Sequence, residues 1–301
     1  MKDDNPHLGW SSNRLDWLEF QTTFGVVVVR REDRNRGYIL IQGNSDQNNL
    51  TKALDAVQTA ISFVEGRNVE IVGYEKVSDG KRTRSLGWTT STTKSRFVPP
   101  FGWTKTIPMN MEGFLSLATN YFYSDAGEDV ADRLGMCWAV ADNKATARAI
   151  AACGTVDKLT QQAANDERES FGDSELKALK EIKSYVETKR GSLDDRFLNR
   201  VNNFLETMRS PDTRNTLKRW AQSGRLGIVQ EDLEAYIGLR NPIMHGRLMF
   251  KFAPDDEQAP REMFEKLRRV ENLVNKIILD RIGYGGNYFD HVTNRFGNLK
   301  R

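Results

Sequence analysis

Sulfur and imidazole are scarce in this chain: its 301 residues include two cysteines and three histidines. Cys137 and Cys153 could pair. Their neighbours Met136, Trp138, Ala151 and Ala152 are helix-core company, however, in which a free thiol is commonly buried, so reduced cysteines in a cytoplasmic protein are expected. His7, His245 and His291 are dispersed, so the sequence offers no metal-ligand cluster, and neither a metal nor a cofactor is expected. Long apolar runs are missing too. No stretch nears the roughly 18 apolar residues of a membrane span. Met1–Asn5 is polar and lacks the apolar core of a secretory signal, so no membrane association is expected. Charge of one sign is also lacking. The 44 Lys and Arg stand against 41 Asp and Glu, for a net charge of +3. That balance is compatible with RNA as a partner but not diagnostic of it.

With 39% hydrophobic and 28% charged residues the composition is that of a soluble globular protein, and the length suggests about two domains. The N-terminal third reads as β-rich. Phe24–Val29 and Gly37–Gln42 are buried-strand runs, separated by the charged stretch Arg30–Arg36 as in a hairpin. Between Asn48 and Glu65 the pattern turns helical, with Leu50, Leu54, Val57, Ile61 and Val64 at helical spacing and Gly66 at the end. Val69–Tyr74 returns to strand. Residues 78–108 are rich in Ser, Thr, Gly and Pro, and their Gly87-Trp88 and Gly102-Trp103 pairs are expected to pack strands or a seam rather than to stack on bases. Pro99-Pro100 and Pro108 mark a domain boundary.

From about Met109 helical stripes dominate. They run over Asp129–Thr160, over Ser174–Thr188 and, after a capping-box start at Ser192–Asp195, through Leu193, Phe197, Leu198, Val201, Phe204, Leu205 and Met208. Pro211–Ser223 and Pro260–Ile282 complete the set. The expected fold class is therefore α+β, with a β-rich recognition or regulatory domain over 1–108 and an all-helical domain over 109–301. There is no internal repeat and no long low-complexity tract.

The chemistry-bearing run is Leu239–Gly246, which places Arg240, Asn241 and His245 within six residues. A histidine moves protons near neutral pH, and a guanidinium holds phosphate with a fork of donors. RNA brings its own nucleophile, the 2′-OH beside each phosphodiester, so a base, an acid and charge stabilisation suffice to cleave it. Asn241-Pro242 reads as an N-cap followed by the first helical residue, which puts His245 beside free backbone N–H groups at the positive, phosphate-attracting end of a helix. Glu231–Leu239 is itself helix-like, so a kinked junction within one helix is an equal alternative.

Arg-x4-His with Asn directly after the arginine and Gly after the histidine resembles the signature of HEPN domains, helical domains found in toxins, CRISPR-associated ribonucleases and phage-defence proteins. The bare Arg-x4-His spacing arises by chance in about a third of chains this long, but the longer pattern in roughly one in a thousand, so Asn241 and Gly246 carry the weight. The signature covers eight residues around His245. More broadly, a β-rich front with a helical rear is similar to anti-phage proteins of the ApeA type.

The resemblance implies an endoribonuclease that works without a metal or cofactor and leaves 2′,3′-cyclic phosphate and 5′-OH ends, in phage defence or a toxin-like role. Arg240 would stabilise the phosphorane, His245 transfer protons, and Asn241 orient Arg240 or the phosphate. It further implies a homodimer with a composite site, since each chain supplies one motif; a separate reading, compatible with it, makes the N-terminal domain a sensor for a phage or regulatory ligand. The alternative is a non-catalytic HEPN-like scaffold that binds nucleic acid or protein. In the plainest reading Arg240 pairs with an acid, Asn241 caps a helix and His245 sits satisfied in a core.

Overall fold

A computed structural model describes residues 17–31, 37–42, 47–71, 73–78, 81–86, 97–101, 110–166, 173–192, 194–209, 212–245 and 258–299. The architecture is mixed: a small antiparallel sheet at the front, then mostly helix.

Strands β1 (Trp17–Thr22), β2 (Gly25–Arg31) and β3 (Gly37–Gln42) pair antiparallel in that order. Leu18 faces Val29 and Phe20 faces Val27, while Val29 and Val27 face Ile39 and Ile41 across the second pair. Every second residue therefore points to one side, and that side joins the core. Strand β1 is legible in the alternation of Leu18 and Phe20 with Glu19 and Gln21, and the sequence reading, which follows continuous apolar runs, passes it over.

Helix α1 (Gln47–Glu65) ends at Gly66, whose φ of 65° and close approach to the Phe97 carbonyl require glycine. Its buried stripe is Ala53, Ala56, Val57, Ala60 and Phe63, and the small residues let it lie close on the next helix. Leu54, Ile61 and Val64, expected on the core side, are only partly buried. The strand expected at Val69–Tyr74 begins later. Val69 N–H donates to the Ser62 hydroxyl at 2.9 Å and ties the chain back to α1, and pairing starts at β4 (Gly73–Ser78) with β5 (Lys81–Leu86). Trp88 and Trp103 lie outside the described residues.

The chain then builds α2 (Met111–Tyr123), α3 (Asp125–Ala139), α4 (Ala145–Asp166), α5 (Asp173–Thr188), α6 (Asp195–Arg209), α7 (Thr213–Ser223), α8 (Gln230–Met244) and α9 (Gln258–Ile282). Side-chain oxygens of Asn110, Ser124 and Asp212 cap α2, α3 and α7. Helices α4, α7, α8 and α9 pack on one another. Every residue of α9 from Val270 to Leu279 is buried, and its polar side chains find partners inside, the Asn272 amide excepted among the described residues. Glu271 takes Arg148 of α4, Asn275 donates to the Val98 carbonyl at 2.8 Å, and Lys276 donates to Asp232 of α8 at 2.9 Å.

One expectation needs correction. The rear of the chain is not all-helical, because it closes in a hairpin of β6 (Asn287–Asp290) and β7 (Arg295–Asn298). Four-residue strands are too short to show a period of two. The turn is legible only afterwards, in the Asp290 carboxylate accepting from Val292 and Thr293 N–H and in Asn294 at φ 54°. Pro99-Pro100, read from the sequence as marking a domain boundary, lie in a buried segment. Residues 97–101 are all buried, with Pro99 and Pro100 carbonyls accepting from His291 and from Phe289 N–H. One apolar core crosses residue 108: Phe63 and Phe101 stack on Phe114, and Phe101 on Tyr284. Among the described residues no helix is long and apolar enough to cross a membrane.

Candidate functional site

Helix α8 runs through Arg240–Met244 with His245 as its C-cap, so of the two alternatives the helix start at Asn241 fails and the run from Glu231 continues as one helix. Residues Leu233, Tyr236 and Leu239 are buried against the neighbouring helices, and this packing carries the helix through Pro242 into its last turn. A proline there removes one hydrogen bond near an end, where few remain to lose. His245 is the C-cap, its backbone N–H bonded to the Asn241 carbonyl at 3.2 Å. The motif therefore sits at the carbonyl end of a helix. The phosphate-attracting N–H end lies at Gln230, a helix length away.

Arg240 continues the buried face one turn beyond Tyr236 and meets Asp157 of α4. Its Nε lies 3.0 Å from Asp157 Oδ2 and 3.2 Å from Oδ1, and Tyr236 donates a short hydrogen bond to the same Oδ1. The guanidinium is 36% exposed and Asp157 23%, so the pair straddles the edge of the core. Burial, the largest influence on Arg240, works against its charge. The Asp157 hydrogen bond and charge outweigh it and leave the guanidinium more firmly protonated than usual. Burial first, then the Asp157 hydrogen bond and charge, push the Tyr236 phenol far up, so it stays a donor. Cys153, one turn before Asp157, is buried and pushed up to about 12 by burial and then by Asp157, and Cys137 is likewise raised to about 11. Both thiols are free and inert.

Asn241 and His245 are exposed and stand one turn apart on a common face. Arg240 and His245 are five residues apart, about 140° around a helix of 3.6 residues per turn. The structure thus brings Arg240 to Asp157 and Tyr236, and sets Asn241 with His245 on another side of α8. A further cation comes to that side. Lys266 of α9 lays its alkyl chain over Gly238, one turn before Asn241, at 3.8 Å from where a Cβ would stand.

Sequence reading found Arg240, Asn241 and His245 and missed Asp157, Tyr236 and Lys266. Tyr236 was within reach, since it precedes Arg240 by one helical turn. Asp157 gave a fainter signal as the one acid in the apolar run from Ala149 to Leu159. Its partner is 83 residues away, and nothing local announces it. Among the described residues no group of three or more His, Cys, Asp or Glu side chains is placed to hold a metal. No protein-family model, curated protein or solved structure matches the chain.

Proposed function

We propose that this protein is an endoribonuclease of HEPN type that cleaves RNA without a metal ion. The observation that carries the reading is the grouping at one helix end of a half-exposed arginine held by a carboxylate with an exposed asparagine and an exposed histidine. In the reaction the 2′-oxygen attacks its own phosphorus, giving its proton to a base. The 5′-oxygen leaves and takes a proton from an acid, which yields a 2′,3′-cyclic phosphate and a 5′-OH. His245 moves the protons, Arg240 neutralises the phosphorane oxygens and Asn241 hydrogen-bonds the phosphate or its arginine.

One chain offers one such histidine, and it faces away from its arginine around the helix. A two-fold dimer supplies the second copy, because an isologous interface sets the same helix end against itself. The active species is accordingly a homodimer with a composite site. The β-containing front takes a phage or regulatory ligand, and the role is phage defence or a toxin-like one in the cytoplasm.

A second reading, the non-catalytic binding scaffold, draws on one observation: among the described residues the His245 imidazole has no hydrogen-bonded partner to orient it. The two are separated by incubating total RNA and chelator with wild type, Arg240→Ala and His245→Ala. The enzyme predicts metal-free cleavage to cyclic phosphate ends, lost in both variants while circular dichroism is unchanged. Retention by wild type without cleavage would favour the scaffold.

A further inference from the structure

The geometry points to Asp157 and Tyr236 as positioning residues that present Arg240 to a phosphate of bound RNA through its two terminal nitrogens. The inference rests on the ribonuclease reading and adds two residues to its machinery, one of them from a helix that carries none of the motif.

An arginine at a protein's edge samples many rotamers, and a transition-state contact gains most when the group is already in place. Arg240 is in place. Both oxygens of Asp157 engage Nε, at 3.0 and 3.2 Å, which fixes the side chain along its length. Among the described residues no hydrogen bond ties Nη1 or Nη2. These are the end-on pair of the fork, the edge that meets two phosphate oxygens at once. The carboxylate is fixed in turn, because Oδ1 also accepts from Tyr236, whose ring is 1% exposed in the core. Held between a buried phenol and the guanidinium, Asp157 has little freedom to turn. The chain of contacts runs Tyr236, Asp157, Arg240, phosphate, so that of the three residues only Arg240 touches substrate.

A lysine cannot replace Arg240 here, since its three donors share one nitrogen and cannot hold the carboxylate at one edge while presenting a planar pair of nitrogens to the phosphate. The pairing also uses only Nε. A carboxylate that merely neutralised an arginine would do best by taking the bidentate edge, as Glu271 does with two nitrogens of Arg148.

The test is a double-mutant cycle on the full chain with two readouts. Cleavage of an RNA oligonucleotide is followed beside binding of the same oligonucleotide carrying 2′-deoxyribose at the cleaved position. Asp157→Asn is expected to lower cleavage about ten- to a hundredfold and Tyr236→Phe about threefold, with weaker binding of the deoxy probe. In an Arg240→Ala background, where cleavage is already lost, neither change should weaken binding of the deoxy probe further. Arg240→Lys should be as inactive as Arg240→Ala. Side-chain NMR should show the Arg240 Nε–H signal slow to exchange in wild type and fast in Asp157→Asn.

Equal losses from Asp157→Asn with and without Arg240 would overturn the proposal, leaving the carboxylate a structural link between α4 and α8. So would wild-type cleavage by Asp157→Asn. Tyr236→Phe keeps the ring and the core, so it decides the matter should Asp157→Asn unfold. If wild type cuts no RNA, the ribonuclease reading fails by itself, and deoxy-probe binding then decides: dependence on Arg240 that Asp157→Asn weakens sustains the positioning role, and its absence ends it.

Discussion

Arg148 on α4 grips Glu271 on α9 by three nitrogen–oxygen contacts of 2.7, 2.8 and 2.9 Å, with the glutamate side chain 1% exposed and the arginine 23%. Burial holds the Glu271 carboxyl above the usual range, and Arg148 pulls it back only in part. The charge is thus tolerated because its partner is there.

Removing that partner should be costly. Arg148→Met is expected to lose about 3–5 kcal/mol in urea unfolding, because the acid is left buried and unpaired. Replacing both, Arg148→Met with Glu271→Leu, should recover most of it. A double variant no better than the single one would mean that the cost lies in packing around Arg148.

Acid should find His291 first. This ring is buried, with Nε2 2.6 Å from the Pro99 carbonyl, and burial, the leading influence, lowers its affinity for a proton from the ordinary 6.5. Below that pH the unfolded chain binds a proton that the folded one refuses. Stability is thus whole above 6.5 and falls as pH drops toward the lowered folded value. Unfolding measured stepwise from neutral to mildly acidic pH should show this slope in wild type and a flatter one in His291→Gln. Parallel slopes would assign the acid sensitivity to other groups.

Two glycines inside helices should respond oppositely to alanine. A methyl at Gly154 in α4 meets nothing within 4 Å, so Gly154→Ala should gain about 0.5–1 kcal/mol from helix propensity alone. At Gly127 the same methyl would stand 2.0 Å from the Tyr121 carbonyl, where the chain turns between α2 and α3. Gly127→Ala should lose roughly 1–3 kcal/mol through the forced backbone shift. Melting temperatures moving in the same direction would contradict this local geometry.

The proposed composite site makes its own demand. Mixing inactive His245→Ala with wild-type chains should depress RNA cleavage by more than dilution, since a mixed dimer holds one functional histidine. Activity that falls in strict proportion to the wild-type fraction, with mixed dimers shown to form, would assign a complete site to each chain.

The residues of the motif were legible because three chemically apt side chains crowd into six positions. Its setting was not. Asn-Pro is a strong sign of a helix start, yet the apolar stripe of Leu233, Tyr236 and Leu239 outweighs it, since three packed side chains contribute more than one cap. The strands β2 and β3 followed from their apolar runs and the long helices from their periodicity, both of which are local. The hairpin β6–β7, the Arg240–Asp157 pair and the fate of Pro99-Pro100 depend on residues far apart in sequence, and composition near each of them says little about its partner.

The buried strap at 97–101 carries a consequence for how the protein comes into being. Its carbonyl groups are matched by Asn275 and His291, 177 and 192 positions downstream. During synthesis the strap leaves the ribosome with none of these donors yet made, and its phenylalanines must wait while most of the remaining chain is translated. Contacts of such range form late and slowly. The strap cannot be covered vectorially as it emerges, so premature termination anywhere before the β6–β7 hairpin would release a chain with this apolar segment uncovered, a ready substrate for chaperones and proteases.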